Sequence, residues 1–386
     1  MTNQEQFRCP AYKKCGGCQL DVTYKQQLSF KQRTVIRLVG RYARVAPILG
    51  MKEPLGYRCK VSNAFGYTRG QVISGVWQSS SHRIAKVDTC ALEDGRAAPI
   101  FAAIRRLLPT FKLKTYDEET RSGYLRFVTV RIGKATGEIL VALGTADGAF
   151  PAEKNFVQAL VKACPGITTV TRNVSVGRLN LLLGEKETVL YGDGHITDRL
   201  CGCDFRISAR SFFQVNPTQT EVLYRTAVDF AALTGNERVI DAYSGVGTIG
   251  MIAAARAGEV LSVEQNASAV ENAIENVRLN GLSNVRVVCE DAGAFMTELA
   301  RHGESADVVF TDPPRQGCSG EFLRALVTLA PSRIVYVSCD PESLSRDLYF
   351  LTKNGYRAEK IQPVDMFPYT KHVETVVQLK KEAVHD

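Results

Sequence analysis

From Arg206 to Leu351 the chain alternates short apolar runs rich in β-branched residues with stretches of helical period, a pattern that a parallel sheet covered by helices on both faces satisfies. Strands are expected at Arg206–Ser211, Arg238–Asp241, Glu259–Glu264, Val285–Cys289, Ala306–Asp312 and Arg333–Ser338. Helices are expected at Thr218–Ala232, Thr248–Ala257, Ala269–Asn280, Gly293–Arg301, Glu321–Leu329 and Glu342–Leu351. Asn216-Pro217 reads as an N-cap followed by proline at the first helical position, and Ser268 with Glu271 as a capping box on a helix that ends at Gly281. The expected fold class is therefore α/β with a doubly wound parallel sheet.

Ligands of such sheets sit at the carboxyl ends of the strands, so the residues there matter most. The strand ending at Asp241 runs into Gly245-x-Gly247-x-x-Gly250, and Glu264 follows 19 residues after Gly245 at the end of the next strand. This strand–turn–helix context with an acidic partner fits a nucleoside cofactor, either a nicotinamide dinucleotide or S-adenosylmethionine. Asp241 beside the turn would repel a pyrophosphate but suits a sulfonium or ammonium. Asp291 is placed to meet an adenine edge or, equally simply, to cap the helix that follows it. Asp312-Pro313-Pro314-Arg315 is a rigid loop carrying a carboxylate.

Ser338-Cys339-Asp340-Pro341 sets a cysteine just before a helix N-terminus, where amide groups and the helix dipole favour thiolate, partly offset by Asp340. By itself such a cysteine reads as a packing residue. A uracil-like substrate changes that reading, because carbon 5 is too poor a nucleophile until a thiolate adds at carbon 6. A base must then take the carbon 5 proton. Glu374, in His372-Val373-Glu374-Thr375-Val376-Val377, leads a strand that returns it to the same sheet edge, or else is a surface residue at a strand start.

The N-terminal half is different in kind. Between Arg8 and Arg44 there are nine Lys or Arg and one acid, Asp21, within a net charge of +8. Lys25–Val45 reads as one helix, with Leu28, Val35, Leu38, Val39 and Tyr42 on one face and Arg33, Arg37, Arg41 and Arg44 on the other, either a solvated stripe or a phosphate-tracking surface. From Leu55 to Glu187 short alternating strands (Val61–Thr68, Val72–Trp77, Leu125–Ile132, Ile139–Leu143) and helices near Ala97–Leu108 and Glu153–Lys162 indicate an α+β unit. No signal pattern and no apolar run of bilayer length stands out, so the chain is expected to be cytoplasmic and its 11 cysteines reduced. Cys9, Cys15 and Cys18, with Cys90 after Ser81-His82-Arg83-Ile84, suit either an iron–sulfur cluster or zinc. Cys59, Cys164, Cys289, Cys318 and the Cys201-Gly202-Cys203 pair are assigned to packing, although a CxC pair also suits a metal.

Phe213-Gln214-Val215-Asn216, Asp241–Gly247, Asp312-Pro313-Pro314-Arg315, Ser338-Cys339-Asp340-Pro341 with Arg346-Asp347, and His372-Val373-Glu374-Thr375-Val376 resemble, in order, the bacterial RNA 5-methyluridine methyltransferase family. The resemblance spans nearly the whole chain. It implies a Rossmann-like domain that moves a methyl group from S-adenosylmethionine to carbon 5 of a uridine, with Cys339 as nucleophile and Glu374 as base. It carries cofactor contacts onto Gln214, Tyr243, Thr248, Glu264, Asp291 and Asp312, with Tyr243 and Ser244 standing where the family often has Phe and Cys. It further implies a [4Fe–4S] cluster on Cys9, Cys15, Cys18 and Cys90, as in the 23S ribosomal RNA branch. Members often begin with an OB-type RNA-binding domain, for which no room is expected before Cys9. The expected organisation is an iron–sulfur and basic-helix region at 1–95, a central α+β RNA-binding domain at 96–204 and a methyltransferase domain at 205–386. The expected partner is RNA, 23S ribosomal RNA first and transfer RNA second, bound by a monomer with no obligate protein partner and with Phe367 or Tyr369 lining the pocket. A nicotinamide-dependent iron–sulfur oxidoreductase and a non-catalytic RNA-binding protein are the rival readings.

Overall fold

A computed structural model describes residues 9–78, 83–150, 152–175 and 183–383. Arg8, Ser81 and His82 lie outside the described residues. A short helix α1 (Tyr12–Cys15) precedes α2 (Tyr24–Val39), which starts at a capping box in which Thr23 accepts from the Gln26 N–H and the Gln26 side chain accepts from Thr23. The helix expected to reach Val45 stops at Val39. Beyond it the chain runs alongside the sheet edge, where Ala46 N–H and Leu49 N–H donate to Ile361 and Pro363.

Strands β1 (Lys60–Thr68), β2 (Gln71–Trp77), β3 (Ile84–Lys86), β4 (Leu125–Ile132), β5 (Ile139–Thr145), β6 (Thr169–Val174) and β7 (Glu187–Tyr191) form one sheet in the order β3-β2-β1-β4-β5-β6-β7. Helices α3 (Ala97–Thr110) and α4 (Glu153–Ala163) cover it with Ile100, Phe101, Ile104, Phe156 and Leu160. The boundary expected at residue 95 falls inside this sheet, because β1 pairs with β4 along Lys60–Ala64 and Phe127–Arg131; the early strands belong to the central unit. The strand expected at Arg206–Ser211 is β9 (Cys203–Ser208), paired with β8 (His195–Leu200) in a separate hairpin. Its turn, Cys201-Gly202, has positive φ at both residues, which sets this register (φ 52° and 91°).

The second sheet uses β10 (Arg238–Ala242), β11 (Glu259–Glu264), β12 (Val285–Cys289), β13 (Val308–Thr311), β14 (Arg333–Ser338), β15 (Tyr356–Val364) and β16 (Glu374–Lys381) in the order β12-β11-β10-β13-β14-β16-β15. Helix α5 (Pro217–Ala231) leads from the hairpin into β10, α6 (Thr248–Ala254) and α7 (Ala267–Leu279) connect the first strands, and α8 (Ala292–Arg301), α9 (Gly320–Leu329) and α10 (Pro341–Lys353) the later ones. Two apolar layers result: one joins α8, α9 and α10 to Val35 and Val39 of α2, the other joins α5 and α6 to the β8–β9 hairpin. The sheet is mixed rather than wholly parallel, since β16 inserts antiparallel between β14 and β15. The α7 cap is Asn266, accepting from Ala269 N–H, in place of the expected Ser268.

Asn216 is fully buried and does two tasks: its Oδ1 caps α5 through Gln219 N–H, and its Nδ2 donates to the Met366 carbonyl at 2.8 Å. Asn216→Ala is expected to lower unfolding free energy by about 2 kcal/mol or more, and Asn216→Ser, which keeps a capping oxygen, by less. Urea titrations read both.

Candidate active site

The turn after β10 is built by three backbone demands. Tyr243, Gly245 and Gly247 all have positive φ (59°, 56° and 81°), and Gly247 N–H closes the turn on Ser244 O at 2.8 Å. Gly250 lets α6 lie against the sheet, because a Cβ there would fall 2.5 Å from Ser262 Oγ and 2.8 Å from Asp241 Oδ2. Asp241 is buried and accepts from Gly250 N–H at 2.8 Å. Glu264 braces the turn from the next strand, accepting from Gly245 N–H at 3.0 Å and Asn266 N–H at 2.8 Å.

The chemical edge is set by strand register. Thr311 on β13 lies beside Tyr336 on β14, and Ser338 at the end of β14 pairs with Thr375 on β16. The next residues outward, Asp312, Cys339 and Glu374, therefore meet at one edge, and all three line a cavity of about 700 Å³. Burial raises the Glu374 carboxyl to about 8, with the Asp312 charge adding to it. Burial alone raises Asp312 to about 7, and burial with Asp312 and Glu264 nearby raises Asp241 to about 7 against the Gly250 N–H.

The thiolate expectation for Cys339 is corrected by its surroundings. Asp340 takes the helix N-terminal donors itself, accepting from Glu342 N–H and Ser343 N–H. Burial, then Glu374 and Asp312, push the Cys339 thiol up to about 12, and Arg315 opposes them. These influences favour the neutral thiol. Arg315 also donates to His372 Nδ1 at 3.0 Å, and burial followed by Arg315 lowers the His372 pKa, consistent with a neutral acceptor ring.

Gln214, Tyr243, Thr248 and Glu264 line the same cavity. Asp291 does not; it caps α8 through Ala294 N–H at 2.9 Å, while its charge reaches the Tyr243 hydroxyl. Of the two aromatic candidates, Phe367 lines the cavity and Tyr369 packs with Tyr57 and Leu92. Two further residues reach the site without a sequence signal: Tyr224, buried on α5 at helical core spacing, whose hydroxyl bonds with Thr248 and Gln214, and Phe212, which lines the cavity yet is 69% exposed. Exposure of one ring of a Phe-Phe pair has no signature in composition. Ser244 Oγ is buried on this wall without a partner, and the space where a Gly245 Cβ would sit is open, so the turn leaves a polar cradle facing the cavity. With acidic groups on three adjoining strand ends, the cradle fits a cationic nucleoside such as S-adenosylmethionine.

Cys9, Cys15, Cys18 and Cys90 are all free and partly buried. Burial raises the Cys18 thiol to about 12, with Cys90, Cys9 and Cys15 each adding, so the four thiols share one neighbourhood. Among the described residues, no set of three or more Cys, His, Asp or Glu converges closely enough to hold a metal ion. Cys201 and Cys203 pack partly buried beside the α5–α6 layer. On α2 and just beyond, Arg33, Arg37, Arg41 and Arg44 are exposed as expected, but Lys31 is wholly buried in an ion pair with Asp365 and adds nothing to a cationic surface. No described helix is long and apolar enough to cross a membrane.

A family model described as tRNA (uracil-5-)-methyltransferase matches residues 194–382. The chain is 41% identical over 378 residues to an uncharacterized RNA methyltransferase of Halalkalibacterium halodurans, covering 96% of this chain and 82% of that one. An uncharacterized RNA methyltransferase of Clostridium tetani is 40% identical, covering 97% of this chain and 83% of its own. Among solved structures, the Pyrococcus abyssi tRNA (uracil-54, C5)-methyltransferase in complex with S-adenosyl-L-homocysteine superposes with TM-score 0.77 at 28% identity, covering 93% of this chain and 84% of that one. These likenesses set aside the oxidoreductase and non-catalytic readings. The chain belongs to the RNA (uracil-5-)-methyltransferases and depends on S-adenosylmethionine.

Proposed function

We propose that this enzyme methylates carbon 5 of a uridine in 23S ribosomal RNA, with Cys339 as the attacking sulfur and Glu374 as the base. The convergence of Cys339, Glu374 and Asp312 at one cavity edge carries this reading. The Cys339 thiol gives its proton to solvent, the resulting thiolate bonds to carbon 6, and the displaced π electrons pass to the carbon 4 carbonyl as an enolate. Carbon 5 then takes the methyl group that the S-adenosylmethionine sulfonium supplies. Glu374 removes the carbon 5 proton, the electrons of that C–H bond restore the ring double bond, and the C6–S bond breaks to release thiolate. Gln214, Tyr243, Thr248, Glu264 and Asp312 hold the donor from the cavity walls, and Asp291 shapes the neighbourhood of Tyr243 through its charge. A uridine reaches this cavity only when flipped from its stack, a cost of about a few kcal/mol.

The 23S assignment follows from Cys9, Cys15, Cys18 and Cys90, which resemble the cluster ligands of that branch and whose thiols share a neighbourhood. In this reading they would draw together around a [4Fe–4S] cluster, a soft-ligand site suited to iron and sulfur, since as placed no three of them converge on a metal ion. The exposed arginines of α2 and the segment after it contact RNA phosphates, and the protein acts as a cytoplasmic monomer without an obligate protein partner. The second reading is a transfer RNA substrate, favoured by the resemblance to the Pyrococcus abyssi enzyme. Methyl incorporation into unmodified 23S ribosomal RNA and transfer RNA, with mass mapping of the products, decides between them: 5-methyluridine confined to 23S supports the first, confined to transfer RNA the second.

Cys339→Ala is expected to lower kcat by about 10⁴-fold or more while binding the donor normally. Glu374→Gln is expected to accumulate a covalent RNA adduct on a denaturing gel. Neither effect appearing removes the assignment. The carboxyls also give a pH dependence with a fixed sign. Asp312 is neutral below about 7 and anionic above it, so only at higher pH does it attract a sulfonium. The affinity of S-adenosylmethionine relative to uncharged-sulfur S-adenosylhomocysteine is expected to rise roughly tenfold as pH passes from about 6 to about 8. Calorimetric titrations at those pH values check it, and a constant ratio contradicts it.

A further inference from the structure

The connection between β15 and β16, residues 365–373, carries two cavity-lining side chains, Phe367 and His372, and delivers Glu374 to the site. Its backbone is held largely from the N-terminal region. Lys31 Nζ donates to Phe367 O at 2.9 Å and Tyr57 Oη to Pro368 O at 3.2 Å. Tyr369 N–H donates to Gln27 Oε1 at 2.7 Å, and Tyr369 O accepts from Gln19 N–H and Leu20 N–H at 3.0 and 3.1 Å. At its start, Asp365 accepts from Lys31 Nζ at 2.5 Å and Tyr24 Oη at 2.8 Å, and its own N–H reaches Leu49 O. Gln19 and Leu20 directly follow Cys18, and Cys18 and Cys90 pack against the Tyr57–Leu92–Tyr369 cluster. Tyr369 has φ +67°, a conformation a bulky residue keeps only when its surroundings over-determine it.

Lys31, Asp365 and Gln27 are wholly buried. A buried ion pair is a poor device for stability compared with two apolar side chains, but a good one for fixing geometry. We propose that α2 and the segment behind Cys18 form a clamp on this connection, with Lys31, Asp365 and Gln27 as positioning residues that set Glu374 and Phe367 against the uracil ring. The inference rests on the role of Glu374 proposed above. Among the described residues, Lys31, Asp365 and Gln27 make no hydrogen bond to the donor-cradling turn at Tyr243–Gly250, so they act chiefly on proton removal. Loosening it leaves Cys339 able to add and carbon 5 able to take the methyl group, and delays release of the RNA.

The test uses the full chain with S-adenosylmethionine and whichever RNA accepts methyl, in Lys31→Met/Asp365→Leu and in Gln27→Leu. The double variant replaces the ion pair by apolar packing, so its thermal midpoint stays near that of the parent while the hold on Phe367 O is lost. Gln27→Leu removes one acceptor from Tyr369 N–H and serves if the double variant does not fold. Expected in the folded variants are unchanged donor affinity, kcat lowered about tenfold to a hundredfold, and a larger fraction of enzyme in covalent RNA adduct, as in Glu374→Gln. Parental kcat and adduct level in the folded variants, with Glu374→Gln still trapping adduct, overturn the clamp. Absence of adduct in Glu374→Gln removes the reading of Glu374 and the clamp with it.

Discussion

The active edge depends on one antiparallel insertion. Because β16 runs between β14 and β15 against the direction of β14, the last residue of one strand and the first of the other leave the sheet side by side. Ser338 pairs with Thr375, which makes neighbours of Cys339 and Glu374 although 35 positions separate them in the chain. A slip of one residue would turn every side chain of β16 to the opposite face, moving Val377 and Leu379 out of one apolar layer and Val376 out of the other. The packing that stabilises the sheet is thus the same packing that keeps Cys339 and Glu374 in register.

That arrangement places acidic groups where water is scarce. Desolvation disfavours their charged forms, so Asp241, Asp312 and Glu374 are all raised toward neutrality and the Cys339 thiol is raised with them. Two of the three causes that raise the Cys339 thiol are the carboxylates themselves. In the mechanism proposed above, a cation beside Asp312 would offset the field that favours the thiol and so ease ionisation of the sulfur.

Much of the second sheet is legible because it is local. Glu259–Glu264, Val285–Cys289 and Arg333–Ser338 coincide with β11, β12 and β14, since continuous apolar runs between capped helices admit few other readings. Asn216-Pro217 caps α5 for a reason contained in two residues. What stays hidden depends on distant partners. Lys31 looks like part of a basic helix until Asp365, 334 positions away, is folded against it. The direction of β16 and the pairing of β1 with β4 are likewise settled by packing between segments far apart in the chain. For Cys339 the dipole is visible in the sequence, but the Asp340 cap that uses up the dipole's donors and the two carboxylates facing the thiol are tertiary facts.

The sulfur–carbon bond at Cys339 is the central claim. RNA carrying 5-fluorouridine at the target blocks the last step, because fluorine cannot leave carbon 5 as a proton does, and the enzyme stays attached. Digestion of that complex and mass mapping of the modified peptide is expected to place a methylated fluorouridine on Cys339. An adduct on any other cysteine, or methylated product released with no adduct at all, contradicts it.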